Sequence, residues 1–438
     1  MSIYPKKLLG LIGSNEIVRA SVILLFSQTF TNVLNYLYNI IIGKILSRPN
    51  FEPSAYGEFW ALSSLSYYLL VPITALTLVA TKQIADWHVD KKNSDIKHYI
   101  NNLNNKIVWT TLFLTFLSIV FTPVLKSFLH IDSSLSIIIL NISIISTLLY
   151  SVNTALLLGL RKFLLGTVLI VIPVMFKLIF GSVFTYFYGV QGAVSGNLIQ
   201  SILITILSFI LVKRTLNELG NSEEQSSEFH FPWKLFISSV LATFSLSSFL
   251  STDVIFVKHF LSSEYIDEVA IPSIYSMLSL FGRIIYFLGI SLSSLVIPFA
   301  NFSKNNGKKT SITLYSMMLG LSLVTPLIGI YFIFPDYLIK IIFTDSFTVG
   351  AKFLGPYALA TSFYALSSIM ISHFISKSDY SFAKIPLFFS IIQVLLILFK
   401  HDNIEDFIAI LFIVNFLCLV SMIWYNYKNY YNKNNDSR

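Results

Sequence analysis

The residues with the clearest chemical potential are three ionisable side chains in long apolar runs. Asp253 lies in "LSTDVIFVKHFLSS", Lys177 in "VIPVMFKLIFG" and Arg283 in "LSLFGRIIYFLG". A charge in such a run is costly unless a partner or water compensates it, so these side chains are expected to face an interior site. A carboxylate there can bind or exchange a cation, whereas Arg or Lys can bind phosphate or another anion.

The two cations lie too deep in their runs for the side chains to snorkel to water. Lys177 is 14 residues into its run, about 21 Å along a helix, and Arg283 lies near the middle of its run. Two interpretations of Arg283 stay open: a cation that faces substrate, or a buried pair with Asp253 that fixes helix packing. For Asp253, pairing or gating with Arg283 or Lys258 stands beside ion coupling.

The first apolar run carries neutral polar side chains. Gln28, Asn32 and Asn35 are four and three residues apart, so they share one helix face. This face either lines a substrate cleft or makes interhelical hydrogen bonds. No acidic residue occurs in this run between Glu16 and Glu52.

The composition explains why charges are so sparse. The 438 residues are 55% hydrophobic and 12% charged, with a mean hydropathy of +0.73, whereas soluble domains carry about 25% charged residues. An all-α integral membrane protein is therefore predicted. The single cysteine, Cys418, rules out an internal disulfide framework and a Cys-based metal site. The connection His88–His98 is rich in Lys, which indicates a solvated loop and not a metal site. We therefore expect no enzyme activity, metal or cofactor.

Apolar runs of about 20 residues can each cross a bilayer as a helix, and the chain contains about twelve. Most of the 30 Lys and Arg residues fall in connections on the side of the N-terminus. The positive-inside rule therefore predicts a multi-pass protein of the cell membrane with both termini in the cytoplasm. It also accounts for the net charge of +8 without nucleic acid as a partner. The predicted spans are 20–46, 57–84, 106–129, 134–160, 163–187, 190–212, 234–257, 269–300, 310–333, 352–376, 380–400 and 404–427.

The most polar internal stretch, "RTLNELGNSEEQSSEFHF", divides the chain into two sets of six spans. We predict an N-terminal lobe over 1–213, a cytoplasmic linker over 214–233 and a C-terminal lobe over 234–438. A shift of 215 residues places "KILS" at Lys44 on "HFLS" at His259. Each half holds an even number of spans, so the repeats are parallel. This pattern is typical of two pseudo-repeated lobes around a central cleft that opens alternately to either side.

Several stretches resemble a known transporter family. They are "YGEFWALSSLSYYLLVPITALTLVATKQIA", "LLLGLRKFLLGTVLIVIPVMFKLIFG", and "STDVIFVKHFLSSEY" followed by "LFGRIIYFLGISLSSLVIPFA". The sequence is similar to the multidrug/oligosaccharidyl-lipid/polysaccharide (MOP) exporter superfamily, in particular to its polysaccharide-biosynthesis branch of O-antigen flippases. The stretch "EYIDEVAIPSIY" departs from the family pattern, because Pro272 stands where the helix begins.

The resemblance implies a flippase that moves a polyprenyl-pyrophosphate-linked oligosaccharide from the inner to the outer leaflet. Arg283 and Lys177 would then meet phosphates or acidic sugars, with Gln28, Asn32 and Asn35 beside them in the cleft. Asp253 would gate the cleft or couple transport to a proton or sodium gradient. The partners implied are the lipid-linked substrate, the lipid bilayer and other polysaccharide-assembly proteins.

Three alternatives stay open. A cation-coupled multidrug exporter of the same superfamily generally needs a carboxylate in its N-terminal lobe, and the first span has none. A flippase for the peptidoglycan precursor often carries two further spans and a more cationic cleft. A scaffold for glycan synthesis would transport nothing.

Overall fold

The computed structural model describes residues 16–90, 92–218, 232–305, 312–376 and 381–435. These residues are almost entirely helical, and their strands form one hairpin of Tyr265–Ile266 with Val269–Ala270. The described part of the first half contains α1 Glu16–Leu46, α2 Ala55–Leu69, α3 Val71–Val89, α4 Asn93–Leu129, α5 Ser134–Gly159, α6 Phe163–Phe176 and α7 Ser182–Glu218. The described part of the second half contains α8 Trp233–Phe260, α9 Ile271–Asn305, α10 Ile312–Ile333, α11 Pro335–Ile342, α12 Ala351–Ser376, α13 Lys384–Phe399 and α14 Ile404–Asn435.

Within the described residues, helices lie in each of the twelve predicted spans, which confirms the predicted all-α fold class. Within the described ranges, seven helices are long and apolar enough to cross a membrane, or eight if α10 and α11 form one bent span. One of the seven is the continuous helical run of 56 residues over Phe163–Glu218. Its backbone turns at Gly189, where φ is 57° and ψ is −132°. Because glycine adopts positive φ at little cost, this turn separates the fifth and sixth predicted spans.

The structure differs from the sequence-based prediction in three places. The span predicted over 57–84 is interrupted at Leu70, and Pro72 occupies the first turn of α3, where its missing N–H costs nothing. The connection predicted around His88–His98 is largely helical, because α4 begins at Asn93. The ninth span bends by 91° into α11, since Pro335 starts a new helix there.

Each half packs mainly on itself. In the first half α5 packs against α3, α4 and α7, and in the second half α12 packs against α9, α10 and α14. Most of the linker lies outside the described residues, so the lobe boundaries at 213 and 234 stay a prediction. The interface between the halves is formed mainly by α2 and α3 on one side and α8 and α9 on the other. One buried apolar cluster crosses this interface.

The halves meet closely where α1 ends and α2 and α9 begin, which we call the predicted outer side. The Gly57 amide donates to the Ser273 hydroxyl at 3.0 Å, and that hydroxyl donates to the Pro53 carbonyl at 2.7 Å. A Cβ at Gly57 would lie only 2.8 Å from Pro272. The pairing of glycine with the Pro272 helix start therefore lets the two backbones touch and closes this side.

A second set of contacts completes the closure. The Thr344 hydroxyl donates to the Ser47 carbonyl at 3.1 Å. The rings of Tyr56 and Phe343 lie 5.2 Å apart, edge to face. We refer to these contacts, together with those of Gly57 and Ser273, as the outer closure.

Candidate functional site

Lys177 begins a π-helical turn over Lys177–Gly181. Such turns occur often at functional sites because they displace a side chain from regular helical register. The Lys177 ammonium donates to the Asn35 side-chain carbonyl at 3.0 Å and lies 4.7 Å from the centre of the Tyr38 ring. No carboxylate in the described part of the chain lies within ion-pair distance of it.

The ring beneath Lys177 is held in place by close backbone packing. The Tyr38 hydroxyl donates to the Ala193 carbonyl. A Cβ at Gly196 would lie 2.6 Å from that hydroxyl and 3.0 Å from Gly181. Small residues at these positions allow α1 and α7 to approach closely.

The predicted polar face of α1 is only partly visible. Asn35 contacts Lys177, and Asn32 is half-buried and already has an interaction partner. Gln28 lies within α1, but its side chain is outside the described residues. Of the three predicted polar residues, the structure therefore places Asn35 beside a predicted cation.

Arg283 lies on α9 and is 4% exposed. Its Nη1 donates to the Tyr67 hydroxyl at 2.9 Å, across the interface between the halves. The guanidinium carbon lies 4.0 Å from the Trp60 ring centre and 4.9 Å from that of Tyr67. Within the described residues, Nε and Nη2 have no hydrogen-bond partner. Two buried donors of a permanent cation are thus available to a ligand.

Asp253 lies on α8 and is 2% exposed. Its Oδ2 accepts hydrogen bonds from the hydroxyls of Tyr275 at 2.8 Å and Tyr357 at 3.3 Å. Its Oδ1 has no hydrogen-bond partner among the described residues. This free oxygen can accept a proton or contribute to a cation site.

The predicted ion pair between Asp253 and Arg283 does not form in this structure. The Asp253 carboxylate accepts from Tyr275, which precedes Arg283 by eight residues on α9, and the guanidinium acts on it only at longer range. No nitrogen of Arg283 comes within 4.0 Å of the carboxylate. Lys258, the alternative partner, forms no ion pair within 4.0 Å among the described residues, and the carboxylates that act on it at longer range are those of Glu58, Asp132 and Glu52.

An aromatic path connects the two cations. The ring of Tyr38, which contacts Lys177, lies 6.4 Å from Phe59. Phe59 lies 6.2 Å from Trp60, on whose face Arg283 rests. The cations therefore flank one buried aromatic layer, with Lys177 in the first half and Arg283 in the second.

Arg283 also lines a small cavity that is formed by residues of its own half. Tyrosine and threonine hydroxyls and the Asn415 amide line it together with apolar side chains, and it has room for about one water molecule. Tyr67, which accepts the hydrogen bond from Arg283, is 37% exposed. The guanidinium is therefore buried but lies close to the protein surface. The polar lining includes Tyr286, Tyr357, Thr361, Tyr364 and Asn415.

The sequence reasoning missed several partners. Trp60 and Tyr67 are seven residues apart on α2 and so share a helix face, a spacing that could have identified them. Glu58 and Lys258 are both buried, at 7% and 3% exposure, and their opposite charges attract across the interface without an ion pair within 4.0 Å. Among the described residues, no group of three or more His, Cys, Asp or Glu is arranged to hold a metal ion.

The comparisons with known proteins identify the fold. No protein-family model matches the sequence, and no curated protein matches it. A solved structure of a multidrug resistance MATE family transporter of the MOP superfamily, in an inward-facing conformation, matches with a TM-score of 0.71 at 11% identity, covering 93% of this chain and 98% of that one. An outward-facing structure of such a transporter matches with a TM-score of 0.61 at 12% identity, covering 94% and 95%.

A second kind of transporter shares the same fold. The lipid II flippase MurJ in an inward closed conformation matches with a TM-score of 0.66 at 16% identity, covering 92% of this chain and 87% of that one. The chain therefore has the fold of MOP superfamily transporters over nearly its whole length.

Proposed function

We propose that this protein is a flippase for a polyprenyl-pyrophosphate-linked oligosaccharide, working by alternating access in surface polysaccharide assembly. The single observation that carries the proposal is the Arg283 site. A buried guanidinium with two unpartnered donors lies on the interface between the halves, beside a small cavity lined in part with hydroxyl groups and the Asn415 amide. In this structure the cavity has room for about one water molecule, so the halves must move apart before the two donors can bind a pyrophosphate with attached sugar.

The charge balance supports an anionic cargo. Arg283 and Lys177 flank the aromatic layer, and no described carboxylate lies within ion-pair distance of either. Desolvating a pyrophosphate in hydrocarbon is prohibitive unless cations and hydrogen-bond donors replace water. The aromatic faces provide stacking surfaces for sugar rings, while the prenyl chain stays in the membrane.

The outer closure supports alternating access. The contacts of Gly57, Ser273, Ser47 and Thr344 join the halves on one side, and transporters of this fold are known in inward-facing and in outward-facing conformations. In the proposed cycle, the headgroup enters from the cytoplasmic side and binds Arg283. The outer closure then opens, and the headgroup leaves to the outer leaflet. Both termini are cytoplasmic in this scheme, and other assembly proteins supply and collect the substrate.

One observation favours coupling to an ion gradient. Asp253 keeps one buried carboxylate oxygen without a described partner, close to the hydroxyls of Tyr275 and Tyr357. A proton or a sodium ion bound there would neutralise the carboxylate and alter this cluster of α8, α9 and α12. The same feature suits a cation-coupled multidrug exporter, which is the second candidate function. A peptidoglycan-precursor flippase is the third, because its substrate also carries a pyrophosphate.

A substrate panel separates these candidates. The purified protein would be reconstituted in liposomes with a fluorescent lipid-linked oligosaccharide, with lipid II, or with a cationic dye, each with and without a proton or sodium gradient. We expect transfer of the lipid-linked oligosaccharide between leaflets above the rate in empty liposomes. Transfer of lipid II alone, or efflux of the dye alone, would replace the proposed function with the corresponding alternative.

A further inference from the structure

A groove on the outer surface of the second half is separate from the central site. Its floor is α12, and α10 and α14 each pack against α12 to form its two walls. Apolar side chains line it, including Phe332, Pro356, Leu359, Ala409 and Ile413. Phe332 and Ile413 are 52% and 48% exposed, so this apolar surface remains open to the surroundings.

The polarity of the groove changes with depth. Lys352 and Glu405 lie at its mouth, in the first turns of α12 and α14, and apolar residues follow. From Glu405 to Ile413 is eight residues, about 12 Å of helix. Half of a hydrocarbon core of roughly 30 Å is about 15 Å. The groove therefore has the depth of one leaflet, with charge only at the level of the headgroups.

The charged mouth presents both signs close together. The Lys352 ammonium lies 3.8 Å from the Glu405 carboxylate, and the two side chains are 66% and 58% exposed. The ammonium also lies 4.5 Å from the centre of the Phe353 ring. At this separation neither group satisfies the other's hydrogen-bonding capacity, so both can still bind a ligand.

We propose that this groove binds one zwitterionic phospholipid with an ammonium-bearing headgroup. The lipid phosphate pairs with Lys352 and its ammonium with Glu405. One acyl chain lies along Pro356, Ala409 and Ile413. The charge complementarity selects this lipid over an anionic one, because an anionic lipid also pairs its phosphate with Lys352 but has no ammonium to pair with the Glu405 carboxylate. This site does not depend on the proposed transport function.

The first test blocks the apolar part of the groove. Ala409 is exposed, so Ala409→Trp fills the groove without entering the core. The matched control, Leu417→Trp, lies two turns further along α14 at a position 45% exposed and outside the groove. Native mass spectrometry of the full chain with added phosphatidylethanolamine should show affinity weakened about tenfold or more in Ala409→Trp, a loss of roughly 1.4 kcal/mol, and unchanged in the control. Equal binding by both variants would overturn the groove assignment.

The second test addresses the headgroup with exposed residues, where folding is not at risk. Glu405→Gln should remove the preference for phosphatidylethanolamine over phosphatidylglycerol, and Lys352→Gln should weaken both lipids. Lys340→Gln, at a lysine paired with Asp345 outside the groove, should change neither. Tighter binding of phosphatidylglycerol than of phosphatidylethanolamine by the unaltered protein would refute the headgroup assignment. Diacylglycerol binding as tightly as phosphatidylethanolamine would refute it as well.

Discussion

Arg283 on α9 donates a hydrogen bond to Tyr67 on α2, at 2.9 Å, and so joins the two halves of the protein with a buried cation. A cation that served only to fix packing within its half would be expected to face a carboxylate there. Instead Arg283 rests on Trp60 of the opposite half and keeps two donors free of described partners. Its principal contacts would therefore change whenever the halves move apart, which makes the site sensitive to the transport state.

The outer closure should restrain transport when it is locked. Ser47 and Thr344 already touch through a hydrogen bond of 3.1 Å, and the native Cys418 is buried. Ser47→Cys combined with Thr344→Cys, bridged by a short thiol crosslinker that a reductant can cleave, should stop transfer of the lipid-linked oligosaccharide. Addition of the reductant should restore it. Either single variant, treated in the same way, serves as the control, and normal transfer by the crosslinked protein would argue against opening on this side.

Lys177 should matter for transport more than for folding. Lys177→Gln keeps a donor for Asn35 but removes the positive charge above Tyr38. We expect the variant to remain folded and inserted, and to lose at least about tenfold in transfer rate, or roughly 1.4 kcal/mol of the stabilisation that the charge provides. Lys177→Arg should retain part of the activity. A transfer rate for Lys177→Gln equal to that of the unaltered protein would remove this residue from the site.

Asp253 is expected to couple transport to an ion gradient. Asp253→Asn retains an acceptor for Tyr275 and Tyr357 but can neither take up a proton nor carry a negative charge. Transfer rates measured with and without a proton or sodium gradient should become equal in this variant. If Asp253→Asn responds to the gradient as the unaltered protein does, the residue is structural.

Two glycines allow a test of the packing around Tyr38. Gly196→Ala would place a Cβ 2.6 Å from the Tyr38 hydroxyl and 3.0 Å from Gly181, whereas a Cβ at Gly329 meets nothing within 4 Å. We expect Gly196→Ala to lower the melting temperature in detergent, because overpacking costs about 1–3 kcal/mol. Gly329→Ala should leave the melting temperature unchanged or raise it, since alanine favours a helix by about 1 kcal/mol. The reverse order of the two melting temperatures would contradict the described packing.

The fold was predictable because span positions depend on apolar run length, which the sequence displays directly. The burial of Arg283 and Asp253 was predictable for the same reason, since both stand in such runs. Their mutual distance was not, because it depends on the relative heights of α8 and α9. Because aromatic residues make up 15% of the chain, the sequence does not distinguish Trp60, whose ring contacts the Arg283 guanidinium, from the other aromatic residues.

The remaining features depend on contacts between the halves. Glu58 stands at the very edge of its predicted span, and its electrostatic attraction to Lys258, which lies on the other half, requires the two halves to be assembled. The π-helical turn that begins at Lys177 ends at Gly181, which packs closely on Tyr38. The roles assigned to these residues in transport stay predictions.

The most direct test of the account is the transfer rate of a fluorescent polyprenyl-pyrophosphate-linked oligosaccharide in liposomes that contain either the unaltered protein or Arg283→Ala. Tyr67→Phe, which removes only the hydroxyl that accepts from Arg283, is the matched control for loss of the contact between the halves. The account predicts rapid transfer by the unaltered protein, a moderate reduction in Tyr67→Phe, and near-complete loss in a folded Arg283→Ala, because truncating a buried charged partner costs about 2–5 kcal/mol. Equal rates for Arg283→Ala and the unaltered protein would contradict it.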